Sequence, residues 1–247
     1  MQDINLLSVV VPAFRQEKTI IQDIKNLNAV LASLSYKYEI IVVVDGFEDK
    51  TYDRANKLSK KEIRVLGYKE NQGKGHAVRH GMLKAKGDVI GFIDAGMDIK
   101  ATGISILLDS MLWHDADIMV GSKLHPDSKV NYPNIRRILS WGYRTLTHLL
   151  FGFSVRDTQV GLKFFQRKVV EDVFPRLIVK TFAFDVEILA VSNALGYKKI
   201  EEGPIELNFT GDSSIVSSNF WGIIFLMLWD TMAVFYRLKI LNYYRKK

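Results

Sequence analysis

The sequence predicts an α/β fold: a mostly parallel central sheet with helices on both faces. Two observations carry this. Strand-like and helix-like segments alternate over roughly the first 125 residues, the order that parallel strands joined by crossover helices require. The strand-like runs are apolar along their whole length rather than alternating, as strands covered on both faces are.

Taken in order, residues 6–11 (LLSVVV) read as the first buried strand. Residues 17–34 read as a helix, with Ile20, Ile21, Ile24, Leu27, Val30, Leu31 and Leu34 at helical spacing. Residues 39–44 (EIIVVV) form the second strand, 49–59 a short helix and 63–67 the third strand. A helix over 75–85 starts at Gly73-Lys74-Gly75, and 88–93 (DVIGFI) is the fourth strand. A helix over 102–113 and a strand over 117–120 complete this half. The second half is less regular. It offers a polar loop at 126–133 placed to act as a lid, a helix over 136–151, and a loop with a short strand in 155–166. A helix over 183–195, one or two short strands in 198–209, a polar loop at 211–218 and a final apolar helix come next.

Composition narrows the class. The chain has 247 residues, 48% hydrophobic and 25% charged, which fits a packed globular protein. With no cysteine, disulfides, Cys-ligated metals and a thiol nucleophile are excluded. The net charge is +7, but Arg237, Lys239, Arg245, Lys246 and Lys247 supply five of those charges at the very end. A fold carrying only the remainder is no nucleic-acid binder, and a basic tail suits an anionic surface or a solvated helix end. No signal peptide is visible. Residues 220–229 (FWGIIFLMLW) are too few to span a bilayer, and Asp230 interrupts the apolar run immediately after them. They read as an interfacial or partner-binding helix, with an ordinary buried helix as the alternative.

In parallel sheets, ligands bind beyond the carboxyl ends of the strands. Asp94 and Asp98 come after the fourth strand, where a hard divalent cation could be held by one or two carboxylates plus substrate phosphates; capping the next helix is the other reading. In 71–77 (NQGKGHA) the glycines and helix start suit a phosphate or a plain turn, and Gly75 after the lysine excludes a Walker site. Asp45 after the second strand suits a base or ribose, or a turn. Lys123, Arg136, Arg137 and Ser140 suit a phosphate, Arg136 and Ser140 sharing a helical face, or form a solvated basic helix end. The five histidines form no ligand pattern; His76 and His80 share a face without an acidic partner. No serine-hydrolase elbow occurs.

In register, 9–20 (VVVPAFRQEKTI), 39–51 (EIIVVVDGFEDKT), 71–81 (NQGKGHAVRHG), 87–98 (GDVIGFIDAGMD) and 121–123 (GSK) resemble glycosyltransferase family 2, which has the GT-A nucleotide-sugar-binding fold. The strings 136–140 (RRILS), 155–165 (VRDTQVGLKFF), 182–189 (FAFDVEIL) and 203–207 (GPIEL) are similar to the branch of dolichyl- and polyprenyl-phosphate glucosyl- or mannosyltransferases.

The resemblance implies an inverting, metal-dependent hexosyltransferase moving a sugar from a nucleotide-sugar to a polyprenyl phosphate. UDP-glucose is favoured as donor and GDP-mannose comes next. It implies that Pro12, Phe14, Glu17, Asp45, Lys74, Asp94 and Ala95 line the donor, and that Asp94 and Asp98 hold Mg²⁺ or Mn²⁺. Lys123, Arg136 and Ser140 would hold the acceptor phosphate and diphosphate, with Asp157 and Gln159 shaping the sugar and acceptor pocket. Catalysis would thus rest on Asp94, Lys123, Arg136, Ser140, Asp157 and Gln159. The sequence departs from the family where the usual D-x-D reads Asp94-Ala95-Gly96, where Phe14 replaces Tyr, and where Lys123 replaces Arg. Two alternatives stand beside this: a saccharide acceptor, needing a base such as Asp185 or Glu187, or a degenerate nucleotide-sugar-binding scaffold. The expected organisation is a catalytic domain over 1–218 and a membrane-proximal amphipathic helix with a basic tail over 219–247. The expected place is the cytoplasmic face of a membrane, peripheral or monotopic, alone or with a membrane-protein partner and without nucleic acid.

Overall fold

The computed structural model describes residues 4–96, 99–131, 134–153, 155–208 and 220–246. The chain begins with β1 (Leu6–Ala13), α1 (Ile20–Ala32), β2 (Lys37–Asp45), α2 (Thr51–Asn56) and β3 (Ile63–Tyr68). These strands lie side by side, parallel, and run outward to one sheet edge. Then α3 (Lys74–Met82) carries the chain back to β4 (Val89–Ile93), on the other side of β1. This reversal puts the switch point between β1 and β4, the usual ligand crevice of such sheets.

The remainder is α4 (Gly103–Trp113), β5 (Ile118–Ser122), β6 (Lys129–Asn131), α5 (Asn134–Phe151), β7 (Leu162–Gln166), α6 (Arg167–Val173), α7 (Phe184–Ala194), β8 (Ile200–Pro204), β9 (Glu206–Asn208) and α8 (Phe220–Phe235). The seven-stranded sheet has the order β3-β2-β1-β4-β7-β5-β8, with β7 antiparallel to both neighbours. Alternate residues of each strand feed two cores. Val9, Val11, Ile40 and Val42 pack with α1 and α4, whereas Val10, Ile41, Val43 and Phe92 pack with α3 and α7. Both faces are dry, which is why the strands read as unbroken apolar runs.

Three local features differ from the sequence expectations. The polar segment 126–133 contains β6, which pairs with β9 in a separate two-stranded ribbon. Its partner lies far along the chain, so no local pattern announces it. Helix α6, which the sequence reading lacks, begins where β7 ends, and it is too short for a period to show above its neighbours. At the C-terminus, Val234, Leu238 and Tyr244 are buried in the same core as α7. The Tyr244 hydroxyl donates to Glu187 (2.6 Å), and Arg176 donates to the Tyr244 carbonyl (3.0 Å).

Helix α8 packs Met227, Val234 and Phe235 on the core yet leaves a second apolar face uncovered. Thr231 is fully buried and Asp230 accepts from Thr181, while Phe225 and Trp229 are 69% and 66% exposed. None of the helices, among the described residues, is long and apolar enough to cross a membrane.

Candidate active site

Asp45 ends β2 and is buried. Its carboxylate accepts from Asn71 Nδ2 (3.1 Å), Gln72 N (2.7 Å) and Gly73 N (3.0 Å). It therefore orders the 71–73 turn that leads into α3. The glycines of that turn have a packing cause. A Cβ on Gly73, which sits at φ +96°, would fall 2.4 Å from the Lys180 carbonyl oxygen. One on Gly75 would fall 2.6 Å from Phe184 Cβ, and Gly75 N donates to Lys180 O (2.8 Å). The turn's Gly73 and Gly75 amides are thus spent on Asp45 and Lys180, which favours the plain-turn alternative over a phosphate for these two amides.

What the turn delivers is Lys74. Its Nζ lies 2.7 Å from Asp94 Oδ2, just beyond β4 at the switch point. Burial alone would lower the Lys74 pKa, but the charges of Asp94 and Asp185 outweigh it and hold the ammonium above its usual range. Behind it, Asp185 at the start of α7 pairs with Lys163 of β7 at 2.5 Å, both side chains almost wholly buried. Burial pushes the Asp185 carboxyl up, opposed by Lys163 and Lys74. Asp94, Lys74, Asp185 and Lys163 so form a ladder of alternating charge running into the core.

Asp94 is backed by Gly161. A Cβ there would fall 1.9 Å from Asp94 Oδ2, and Asp94 N donates to Gly161 O (3.0 Å). The other oxygen, Oδ1, is shielded from solvent without a hydrogen-bond partner. An unpaired, fixed carboxylate oxygen fits a hard divalent cation, which needs one or two such oxygens and takes the rest from phosphates and water. Among the described residues no group of three acidic or imidazole side chains gathers as a metal site. Gly96, at the position of the missing acid, has φ +92°, a conformation that favours glycine, and donates its N–H to Asp23 Oδ2 of α1 (3.0 Å). Asp98 lies outside the described residues.

The other expected residues are spread over several elements. Pro12 is buried within β1, paired with Val43. Phe14, just past β1, is exposed, with the Arg15 guanidinium 5.1 Å over its ring. Glu17 accepts from Lys50 N (3.2 Å) and ties the β1 loop to α2. Ala95 packs, half-buried, against the α1 side of the core. Lys123 comes just after β5 and is held by Asp157, whose Oδ2 accepts from Lys123 N (3.1 Å) and lies 3.6 Å from its Nζ. Gln159 Nε2 reaches Met227 Sδ of α8 (3.1 Å). Ser140 is exposed on α5; that helix also carries Arg136 and Arg137, whose side chains lie outside the described residues. The structure thus joins Lys74 with Asp94 and Lys123 with Asp157. Gly161, Lys163, Asp185 as a partner of Lys163, and Asp23 were not read as site residues. For Asp23 the signal was an acid on the apolar face of Ile20, Ile24 and Leu27.

Residues 8–174 match the family model described as "Glycosyl transferase family 2". The chain is 35% identical over 231 residues to a dolichyl-phosphate beta-glucosyltransferase of Drosophila melanogaster, covering 87% of this chain and 70% of that one. It is 31% identical over 231 residues to the Homo sapiens dolichyl-phosphate beta-glucosyltransferase, with the same shares covered. Among solved structures it resembles glucosyl-3-phosphoglycerate synthase from Mycobacterium tuberculosis in complex with Mn²⁺, UDP and phosphoglyceric acid. The TM-score is 0.69 at 18% identity, over 94% of this chain and 78% of that one, a likeness of fold alone.

Proposed function

The chain belongs to glycosyltransferase family 2, and from that premise we propose that it transfers glucose, with inversion, from UDP-glucose to a dolichyl or other polyprenyl phosphate. The observation that carries the reading is Asp94 at the switch point, fixed by Lys74 and Gly161 with Oδ1 unpaired. The relatives' names favour glucose over mannose and a lipid phosphate over other acceptors.

Mg²⁺ or Mn²⁺, when bound, would neutralise charge on the departing nucleoside diphosphate. Asp94 would hold that ion through Oδ1, and Lys74, 2.7 Å from Oδ2, would keep the carboxylate oriented. Two anions must meet in this reaction, and Lys123, with Arg136 and Ser140 from α5, would lie between them. Asp157 would set the position of Lys123, and Gln159 would border the acceptor. A lipid phosphate is already an anion near neutral pH, so no strong base is required. The candidate bases for a saccharide acceptor are otherwise engaged: Asp185 by Lys163, and Glu187 by the Ile178 and Val179 amides and the Tyr244 hydroxyl.

The acceptor also demands a membrane. Trp141 of α5 and Phe225, Trp229 and Met232 of α8 are exposed, and Tyr236 and Ile240 extend the apolar surface. Arg237, Lys239, Arg245, Lys246 and Lys247 come next along the chain, with no acid among them. Apolar anchors flanked by cations suit the anionic leaflet on a cytoplasmic face, in monotopic or peripheral attachment.

The test is transfer by purified protein with Mg²⁺ or Mn²⁺ and a short polyprenyl phosphate, with UDP-glucose and GDP-mannose in parallel. UDP release that requires the lipid supports the reading. Release without lipid favours another acceptor, and binding without any release favours a scaffold.

A further inference from the structure

An acid interrupts the apolar C-terminal helix, and neither donor binding nor a membrane seat explains it. Asp230 does not face outward with Phe225 and Trp229; its Oδ2 accepts from the hydroxyl of Thr181, in the segment leading into α7. The residue before, Lys180, lies on the 73–75 turn. Its carbonyl accepts from Gly75 N (2.8 Å) and sits where a Gly73 Cβ would be, and its Nζ donates to Gln72 Oε1 (2.9 Å). That turn presents Lys74 to Asp94 Oδ2. One turn earlier on α8, Met227 accepts from Gln159, in the loop whose Gly161 backs the Asp94 carboxylate. Helix α8 therefore touches both supports of Asp94, one through Met227 and the other through Asp230.

We propose that Asp230 is a positioning residue: by fixing Thr181 it holds Lys180 on the 73–75 turn, and so holds Lys74 against Asp94. The role given to Asp94 rests on the glycosyltransferase reading; the chain of contacts does not. A charge is retained inside an apolar helix because it anchors that helix to the active site, and α8 becomes part of the site as well as its seat on a surface.

The experiment compares full-length wild type with Asp230→Ala, Asp230→Asn, Thr181→Val and the Asp230→Ala/Thr181→Val pair. Amide hydrogen exchange is monitored at 72–76, with UDP affinity in Mn²⁺ by calorimetry and pelleting with anionic phosphatidylserine vesicles. Losing one hydrogen bond to a charged acceptor should speed Gly75 exchange and weaken UDP by about tenfold each. Asp230→Asn, which keeps an acceptor, should stay near wild type. The double variant should be no worse than either single, and pelleting should not change. Unchanged exchange at 72–76 in Asp230→Ala would overturn the proposal, as would additive effects or an Asn variant as impaired as Ala. If Asp230→Ala fails to fold, Thr181→Val removes the same bond from a half-buried position and decides alone. Wild type that binds no UDP would refute the donor reading, while the exchange data still decide this one.

Discussion

The carboxylate of Asp94 rests on the Cα of Gly161, so closely that any side chain at 161 would coincide with it: a Cβ would lie 1.9 Å from Oδ2 and 2.2 Å from Cγ. The glycine in the 157–161 loop is therefore a mould for the acid beyond β4. Gly161→Ala must push that carboxylate away from Lys74. A displacement of about 1 Å at a reacting centre costs on the order of 100-fold. We expect Gly161→Ala to lose about that much kcat/KM for the donor while keeping a cooperative thermal transition. Near-normal turnover would show that Asp94 needs no such backing.

The Lys163–Asp185 pair gives a test of the ladder's base. Both side chains are almost wholly out of water, and Lys163 also donates to Val160 O (2.6 Å). Removing one partner strands the other charge, at about 3–5 kcal/mol for a buried pair, whereas replacing both by apolar groups costs far less. Lys163→Met should thus lower unfolding free energy by an amount in that range, and Lys163→Met/Asp185→Leu should recover most of it, as read by urea denaturation. A double variant that loses as much as Lys163→Met, or more, would show that Asp185→Leu relieves nothing and would refute the stranded-charge account.

The positions of the candidate site residues were largely legible in the sequence, because parallel sheets bind ligands just past the carboxyl ends of their strands. Asp45, Lys74, Asp94 and Lys123 all stand there, each after the strand or turn that the apolar runs announced. What stayed hidden depends on contacts between distant segments. The glycines of 73–75 suit a phosphate or a plain turn in type and spacing until Lys180, more than a hundred residues on, is seen lying against them. Asp230 looks like a break in an apolar helix until Thr181 is opposite it. Glu187 looks like a base until Tyr244 folds back onto it. Residue type and spacing limited the chemistry available, and tertiary packing decided which groups were already engaged.

The imidazoles of α3 predict a pH dependence. His76 and His80 lie 6.2 Å apart beside Tyr68, and burial, then Lys180 for His76 and Lys84 for His80, hold both below the ordinary value of 6.5. The folded state therefore binds fewer protons there than the unfolded chain. Their stabilising contribution is complete above the unfolded value and is lost as pH falls through the folded one. Wild type should lose stability in urea as pH drops below about 6.5, and His76→Gln/His80→Gln should lose less over the same window. Parallel pH profiles for the two proteins would exclude the pair as the source.

The exposed face of α8 can be separated from catalysis. Phe225 and Trp229 stack on each other with centroids 6.5 Å apart and are exposed. Thr231, on the opposite side of the same helix, is buried and donates to Met227 O (2.7 Å). Changing Phe225 and Trp229 to Ser removes two large apolar anchors without disturbing Asp230, Thr231 or Val234. Each aromatic withdrawn from an interface forfeits roughly 1.5–3 kcal/mol of burial if fully inserted. Pelleting with anionic vesicles should therefore fall by at least about tenfold in Phe225→Ser/Trp229→Ser. UDP affinity in Mn²⁺ should hold, because neither ring supports Asp94. Turnover should drop only with acceptor presented in vesicles and recover with a short, water-soluble polyprenyl phosphate. Full pelleting by the double variant would move the membrane seat elsewhere on the molecule, with the basic residues 237–247 the next segment to test.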